Sequence, residues 1–191
     1  MQETAIAVHA CGFSTSQGLC RITYDRLGNA MGISGKTDIK NFIVSGGPPY
    51  NKGKAPLAYL MRDYLKKFSL KYHIYCATDC FNSSTDIQTI LSIMREQNFN
   101  KLYAVSSFWH LWVLKPIYHY WIKKLNCNID IKMCKVNNRS VKAGLKTVFT
   151  YFIYALLIKL SILFGVFSIL DATINKLQSK RLNGYPISGC A

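Results

Sequence analysis

Serine, asparagine, histidine and glycine gather where the apolar runs of this chain end, and these are the residues that could do chemistry. Residues 41–47, Asn-Phe-Ile-Val-Ser-Gly-Gly, read as a short strand, Phe42 to Val44, that closes in Ser45, Gly46 and Gly47. Glycines at such a turn let a ligand approach the backbone, and a crevice at the carboxyl end of a parallel strand is where α/β sheets bind. A second group, Asn82-Ser83-Ser84, feeds a helix start. With Thr85 as N-cap and Gln88 three residues on, free amides there would suit an anion, although an ordinary cap explains the pattern equally well. The third group is Ser106-Ser107 before Phe108-Trp109-His110. His110 is the candidate general acid or base of these loops, because imidazole titrates near neutrality; beside Trp109 and Trp112 it reads equally as a packed core residue. Gly12 belongs to a turn after the first strand. Arg26, in Asp25-Arg26-Leu27, is either a ligand contact or a solvated surface cation.

Elements that alternate along the chain must position these groups. Strands are expected over residues 4–10, 42–44, 72–77, 102–105 and 129–136. A weak helix over 22–31 is interrupted by Gly28. Pro56 suits a first helical turn, and Leu57, Leu60, Met61, Tyr64, Leu65 and Phe68 follow at helical spacing. Ile87, Ile90, Leu91 and Met94 continue the helix begun near Thr85, and an aromatic helix runs toward Leu125 with Pro116 as a kink or break. Strands separated by helices in this way argue for an α/β, three-layer fold with a mainly parallel sheet of about five strands.

The chain has 191 residues, enough for one sizeable core plus an appendage. Lys and Arg number 24 against 9 Asp and Glu, an excess that favours anionic partners such as phosphate-bearing ligands or lipid head groups. Nucleic acid is disfavoured, since the basic residues are scattered and no zinc spacing or aromatic ribonucleoprotein signature occurs. The seven cysteines are odd in number and form no Cys-x-x-Cys pair, so reduced structural thiols and no metal site are expected. The amino terminus carries too short an apolar run for a signal peptide, which points to a cytoplasmic globular part. Residues 148–170 are almost wholly apolar around Lys159, long enough to cross a bilayer core of about 20 residues. An interfacial hairpin, or two helices packed on the domain, are the alternatives. The expected division is 1–138 for the α/β domain and 139–191 for an apolar, membrane-associated helical segment with a basic tail.

Taken together, the loops resemble those of the YdcF-like, SanA/ElyC-type family, a Rossmann-like domain of unknown function, over about two thirds of the chain. The resemblance rests on Ala5-Ile6-Ala7-Val8 with Cys11-Gly12, on Asp25-Arg26-Leu27, on Val44-Ser45-Gly46-Gly47, on Asn82-Ser83-Ser84-Thr85-Asp86 and on Val105-Ser106-Ser107-Phe108-Trp109-His110. It implies a Rossmann-like fold, a role near the cell envelope and, for some members, binding of S-adenosylmethionine. Three positions depart from the family pattern: Ala55 stands near the place of an acidic residue, Thr85 in place of Glu, and Val113 in place of Arg.

Two functional readings follow. In the first, Gly12, Arg26, Ser45, Gly46, Gly47, Asn82, Ser83 and Ser107 line a crevice for a small anionic ligand of phosphate, nucleotide or S-adenosyl type, with His110 as the catalytic candidate. In the second, the chain is a non-catalytic, membrane-associated interaction protein on a degenerate Rossmann-like scaffold, as the three departures suggest.

Overall fold

The computed structural model of the chain describes residues 3–11, 14–15, 18–48, 55–80, 82–136 and 145–182. Five parallel strands form the sheet: β1 (Thr4–His9), β4 (Asn41–Ser45), β5 (His73–Ala77), β6 (Lys101–Ser107) and β7 (Asp130–Val136). Two short strands, β2 (Ser14–Thr15) and β3 (Gly18–Leu19), pair antiparallel outside it. The sheet order is β5-β4-β1-β6-β7. The chain thus winds outward from β1 in one direction and returns to wind outward in the other. The gap beyond the carboxyl ends of β1 and β6 is the switch point at which doubly wound sheets hold ligands. The architecture is α/β and consistent with a Rossmann-like fold.

Side chains alternate along each strand, so each face of the sheet has its own set. Ile6, Val8, Phe42 and Val44 face one way and pack with Leu27 of α1 (Arg21–Thr37) and with Leu57, Met61 and Leu65 of α2 (Leu57–Lys66). Ala5, Ala7, Ile43, Leu102 and Ala104 face the other way, against Ile87, Ile90 and Met94 of α3 (Ser83–Glu96) and Leu114 and Ile117 of α4 (Phe108–Lys124). The small alanines on that second face let the helices approach closely. The last residues of the strands continue the alternation, which aims the candidate groups.

Several local expectations are corrected. Helix α1 is 17 residues long and runs through Gly28, because an inward stripe of Thr23, Arg26, Leu27, Ala30 and Ser34 anchors it to the sheet. Arg26 is consequently buried rather than on the helix surface. The N-cap of α3 is Asn82, not Thr85: the Asn82 side chain accepts from the Ser84 and Thr85 amides, and Thr85 closes the capping box from inside the helix. Helix α4 passes through Pro116 unbroken, giving up one backbone hydrogen bond where the residue lies on an open groove. Cys11 and Cys20 are joined in a disulfide, contrary to the expected free thiols, and the antiparallel pair β2 and β3 lies between them in sequence. Cys76, Cys80, Cys127 and Cys134 are free.

The apolar stretch over 148–170 is not one span. Helix α5 (Leu145–Leu163) ends at a turn, and α6 (Phe167–Leu182) begins after it. Gly165, at φ 70°, sits in the left-handed region. Its amide bonds to the Ile162 carbonyl (3.1 Å) and that of Val166 to the Ser161 carbonyl (2.9 Å), the paired closure of a Schellman motif. Among the described residues no helix is long and apolar enough to cross a membrane. Ala155 and Ile158 of α5 and Phe167 of α6 enter the cluster formed by α3 and α4. The Phe167 ring lies 4.7 Å from that of Tyr120.

Candidate functional site

His9 ends β1 on the face turned toward α3 and α4, and it is fully buried. Its register partner on β4 is Ser45, also fully buried. Ser45 Oγ lies 3.2 Å from His9 Nδ1 and donates to Asp86 Oδ2 at 3.4 Å. That carboxylate oxygen is 3.5 Å from the same ring nitrogen. On the opposite side His9 Nε2 lies 3.0 Å from Tyr118 Oη. Burial, followed by the charges of Asp86 and Cys80, pushes the Tyr118 phenol well above its ordinary range, so it remains protonated. A protonated Tyr118 donates to Nε2, and the His9 proton then sits on Nδ1, shared between Ser45 and Asp86.

That arrangement has the wrong connectivity for nucleophilic catalysis by Ser45. An activated serine needs one imidazole nitrogen to itself and an orienting acid on the other. Here serine and carboxylate share Nδ1. The thiol of Cys80, buried and beside Asp86, is pushed up as well, which keeps it neutral.

Strand β6 ends in two serines that point to opposite faces, each to its own partner. Ser106, in phase with Leu102 and Ala104, places Oγ 2.9 Å from His110 Nδ1. Ser83, first residue of α3, places Oγ 3.0 Å from His110 Nε2. Burial, then Arg26 and His9, holds the His110 pKa well below its ordinary value, so this ring is neutral and clamped at both nitrogens. The rings of His9 and His110 are 6.1 Å apart, edge to face, and Tyr151 of α5 lies 6.2 Å from His110.

Ser107, in phase with Val105, turns toward α1. Its Oγ accepts from Arg26 Nε (3.2 Å) and Nη2 (3.0 Å). Arg26 Nη1 donates to the carbonyls of His9 (2.6 Å) and Ala10 (2.9 Å). The guanidinium thereby ties the end of β1 to the end of β6 across the switch point. Burial lowers its pKa to about 10, with Tyr151 and Asp86 pulling the other way. It therefore stays charged at neutral pH. Among the described residues no carboxylate lies within ion-pair distance of it.

Of the residues singled out in the sequence, the structure brings Arg26, Ser45, Ser83, Ser107 and His110 together at the carboxyl end of the sheet. Asn82 precedes Ser83, but its side chain caps α3 and consumes amides that an anion would need. At Gly46 and Gly47 it is the protein itself that comes close. A Cβ on Gly47 would meet the Cys80 carbonyl oxygen at 2.0 Å, and one on Gly46 would meet Ala10 and Leu57 side-chain carbons at 2.8 and 2.9 Å. The carbonyls of Gly46 and Gly47 accept from the first amides of α2. Gly12 lies outside the described residues. Three central groups escaped the sequence reading as site residues: His9, Asp86 and Tyr118. His9 had a signal, being the last residue of a strand whose neighbours end in Ser45 and Ser107. Tyr118 had a weaker one, lying eight residues beyond His110 and so about 80° round the helix from it.

The cluster is layered. Asn82, Ser83, Asp86 and His110 are partly exposed, with His9, Ser45, Arg26 and Ser107 buried beneath them. No group of three or more metal-ligating side chains occurs among the described residues. No family model, curated protein or solved structure matches the chain.

Proposed function

We propose that this chain is a divergent YdcF-like protein that binds a small anionic ligand at the carboxyl edge of its sheet, close to a membrane surface. The observation that carries the reading is Arg26, a buried guanidinium at the switch point whose partners are two carbonyls and a hydroxyl. Neutral acceptors satisfy its hydrogen-bonding groups, and Asp86 acts on it only from beyond ion-pair distance, its pull outweighed by burial, which favours a further anion nearby. Asp86 refines the class of ligand. An acceptor carboxylate at the lip above a cation suits a molecule that offers hydroxyls as well as negative charge, as nucleotides and S-adenosyl compounds do, better than bare phosphate.

Binding rather than catalysis is the core of this reading. Burial, Arg26 and His9 oppose the proton that His110 would have to take to act as a base. The membrane part rests on α5 and α6, where Phe149, Leu163, Phe164 and Ile169 are each more than half exposed in a strongly basic chain. The second reading, a non-catalytic interaction protein on a degenerate scaffold, is favoured by the clamping of both His110 nitrogens and by Val113, buried where the family carries Arg.

Thermal unfolding of the full chain against nucleotides, S-adenosyl compounds and phosphosugars separates the two. A ligand specific to the folded state adds about 2.7 kcal/mol at a hundred times its dissociation constant. The first reading expects a raised Tm with a nucleotide-type ligand that Ser83→Ala and His110→Ala remove. A stable chain that responds to no compound in the panel leaves the second.

A further inference from the structure

Helices α4 and α5 and strand β7 bound an open groove of about 820 Å³, well away in character from the crevice and within the roughly 300–1,000 Å³ range of small-ligand sites. Its apolar surface comes from Phe108, Leu111, Met133, Phe152, Ala155 and Leu156. Its polar groups are Lys115, Lys135, Lys159, His119 and the indole of Trp112. Ammonium and indole groups only donate hydrogen bonds, so among the described residues of this lining His119 is the one side chain able to accept one. Among the described residues no Asp, Glu, Ser, Thr, Asn or Gln lines the groove. The part of an occupant that lies on those apolar side chains is therefore hydrocarbon, because a polar group held against them would lose water without finding a partner. Its outer end must accept hydrogen bonds and carry negative charge.

Lys159 points the same way. It interrupts the most apolar helix of the chain, and α5 contains no acidic residue that could pair with it. The fold brings it to one groove with Lys115 of α4 and Lys135 of β7, so three separate elements each deliver an exposed ammonium. Long lysine stems lie along apolar surface while their charges reach outward, which suits a chain-binding floor with a cationic rim. The geometry points to a binding site for an anionic amphiphile: a hydrocarbon chain ending in a phosphate monoester, its chain on the apolar floor and its phosphate among the three lysines. The site is independent of Arg26 and of the ligand proposed for the crevice.

The test uses the full chain with dodecyl phosphate kept below its micelle-forming concentration, read by tryptophan fluorescence, since Trp112 lines the groove, and by native mass spectrometry. Dodecyl maltoside supplies the same chain without the charge, and inorganic phosphate the charge without the chain. One dodecyl phosphate per protein is expected, bound about tenfold or more tighter than the maltoside, a difference of one charge-assisted contact. Lys135→Glu and Lys159→Glu, at exposed positions where folding is checked by circular dichroism, should each weaken it about tenfold, and His110→Ala should leave it unchanged. Equal affinity for the two detergents would overturn the proposal. Displacement by inorganic phosphate alone, or a loss with His110→Ala but not with the lysine reversals, would also overturn it, by placing the ligand in the crevice. Protein dimers that dodecyl phosphate fails to dissociate would assign the groove to a second copy instead.

Discussion

His9 and Tyr118 meet at 3.0 Å although 109 residues separate them, and their hydrogen bond joins the central strand of the sheet to the middle of α4. Both side chains are fully buried. The bond therefore forms in a setting where an unmade partner is costly, and it orders everything on the far side of the ring. With Nε2 occupied by the phenol, Nδ1 is left to hold Ser45 and Asp86 in place.

Tyr118→Phe tests that ordering. It keeps the ring and its packing but removes the donor, leaving His9 Nε2 as a buried acceptor without a partner. The expected cost is about 1–3 kcal/mol, read by urea denaturation with an unchanged m-value. A loss below about 0.5 kcal/mol, the scale of an ordinary surface change, would mean that water already reaches the ring and that the network is looser than its distances imply.

His110 gives the stability a pH dependence of predictable sign. Its folded pKa lies well below the unfolded value of about 6.5, so between those values the unfolded chain binds a proton that the folded chain refuses. Stability should then fall as pH drops below about 6.5, with a slope of up to about 1.4 kcal/mol per pH unit for this one group. Arg26 and His9, which face it, act in the same sense as burial and oppose its protonation. Denaturation midpoints from pH 7 to pH 5 on the natural chain and on His110→Asn measure the effect. Parallel curves for the two proteins would remove His110 as the cause.

Much of this was legible in the sequence, for reasons that particular residues make plain. The apolar runs at 42–44 and 102–105 and the helical spacing from Leu57 to Leu65 act locally, so they name strands, helices and the ends where Ser45 and Ser107 stand. Period-two alternation puts the serines at 106 and 107 on opposite faces of the sheet, although which face meets α4 and which meets α1 waits for the topology. Longer-range facts were not legible. That Arg26 is turned inward depends on α1 continuing past Gly28, a decision made by packing against the sheet rather than by propensity. The partnership of His9 with Tyr118 depends on a sheet order that no short stretch encodes. The break in the apolar tail hinges on Gly165, whose neighbours are too apolar to mark a turn by composition.

Two glycines should respond in opposite directions. Gly47→Ala would drive a Cβ into the Cys80 backbone carbonyl, 2.0 Å away, where no side-chain rotation can relieve the clash. The expected loss is about 3 kcal/mol or more, the upper end of overpacking costs. Gly28→Ala lies mid-helix in α1 with nothing within 4 Å of the added carbon, so it should stabilise the chain by about 0.5–1 kcal/mol. Chemical denaturation of both variants decides it. A tolerated Gly47→Ala would show that the turn can move away from Cys80, and the Gly-Gly pair would then be open to a ligand after all.

The exposed apolar surface of α5 and α6 yields the last expectation. Leu163 is 76% exposed, Phe164 72% and Ile169 68%, and all three flank the turn at Gly165. A membrane surface would bury them without any helix crossing it, and the basic excess of the chain would add an attraction that salt screens. The full chain should therefore cosediment with vesicles containing anionic lipid more strongly than with neutral ones, and raised salt should reduce the difference. Replacing Leu163, Phe164 and Ile169 by serine together should weaken sedimentation on both vesicle types, because it removes apolar contact rather than charge. Binding that survives this triple change but collapses in high salt would mean that only the lysines touch the lipid, and the apolar turn would then need a protein partner to cover it.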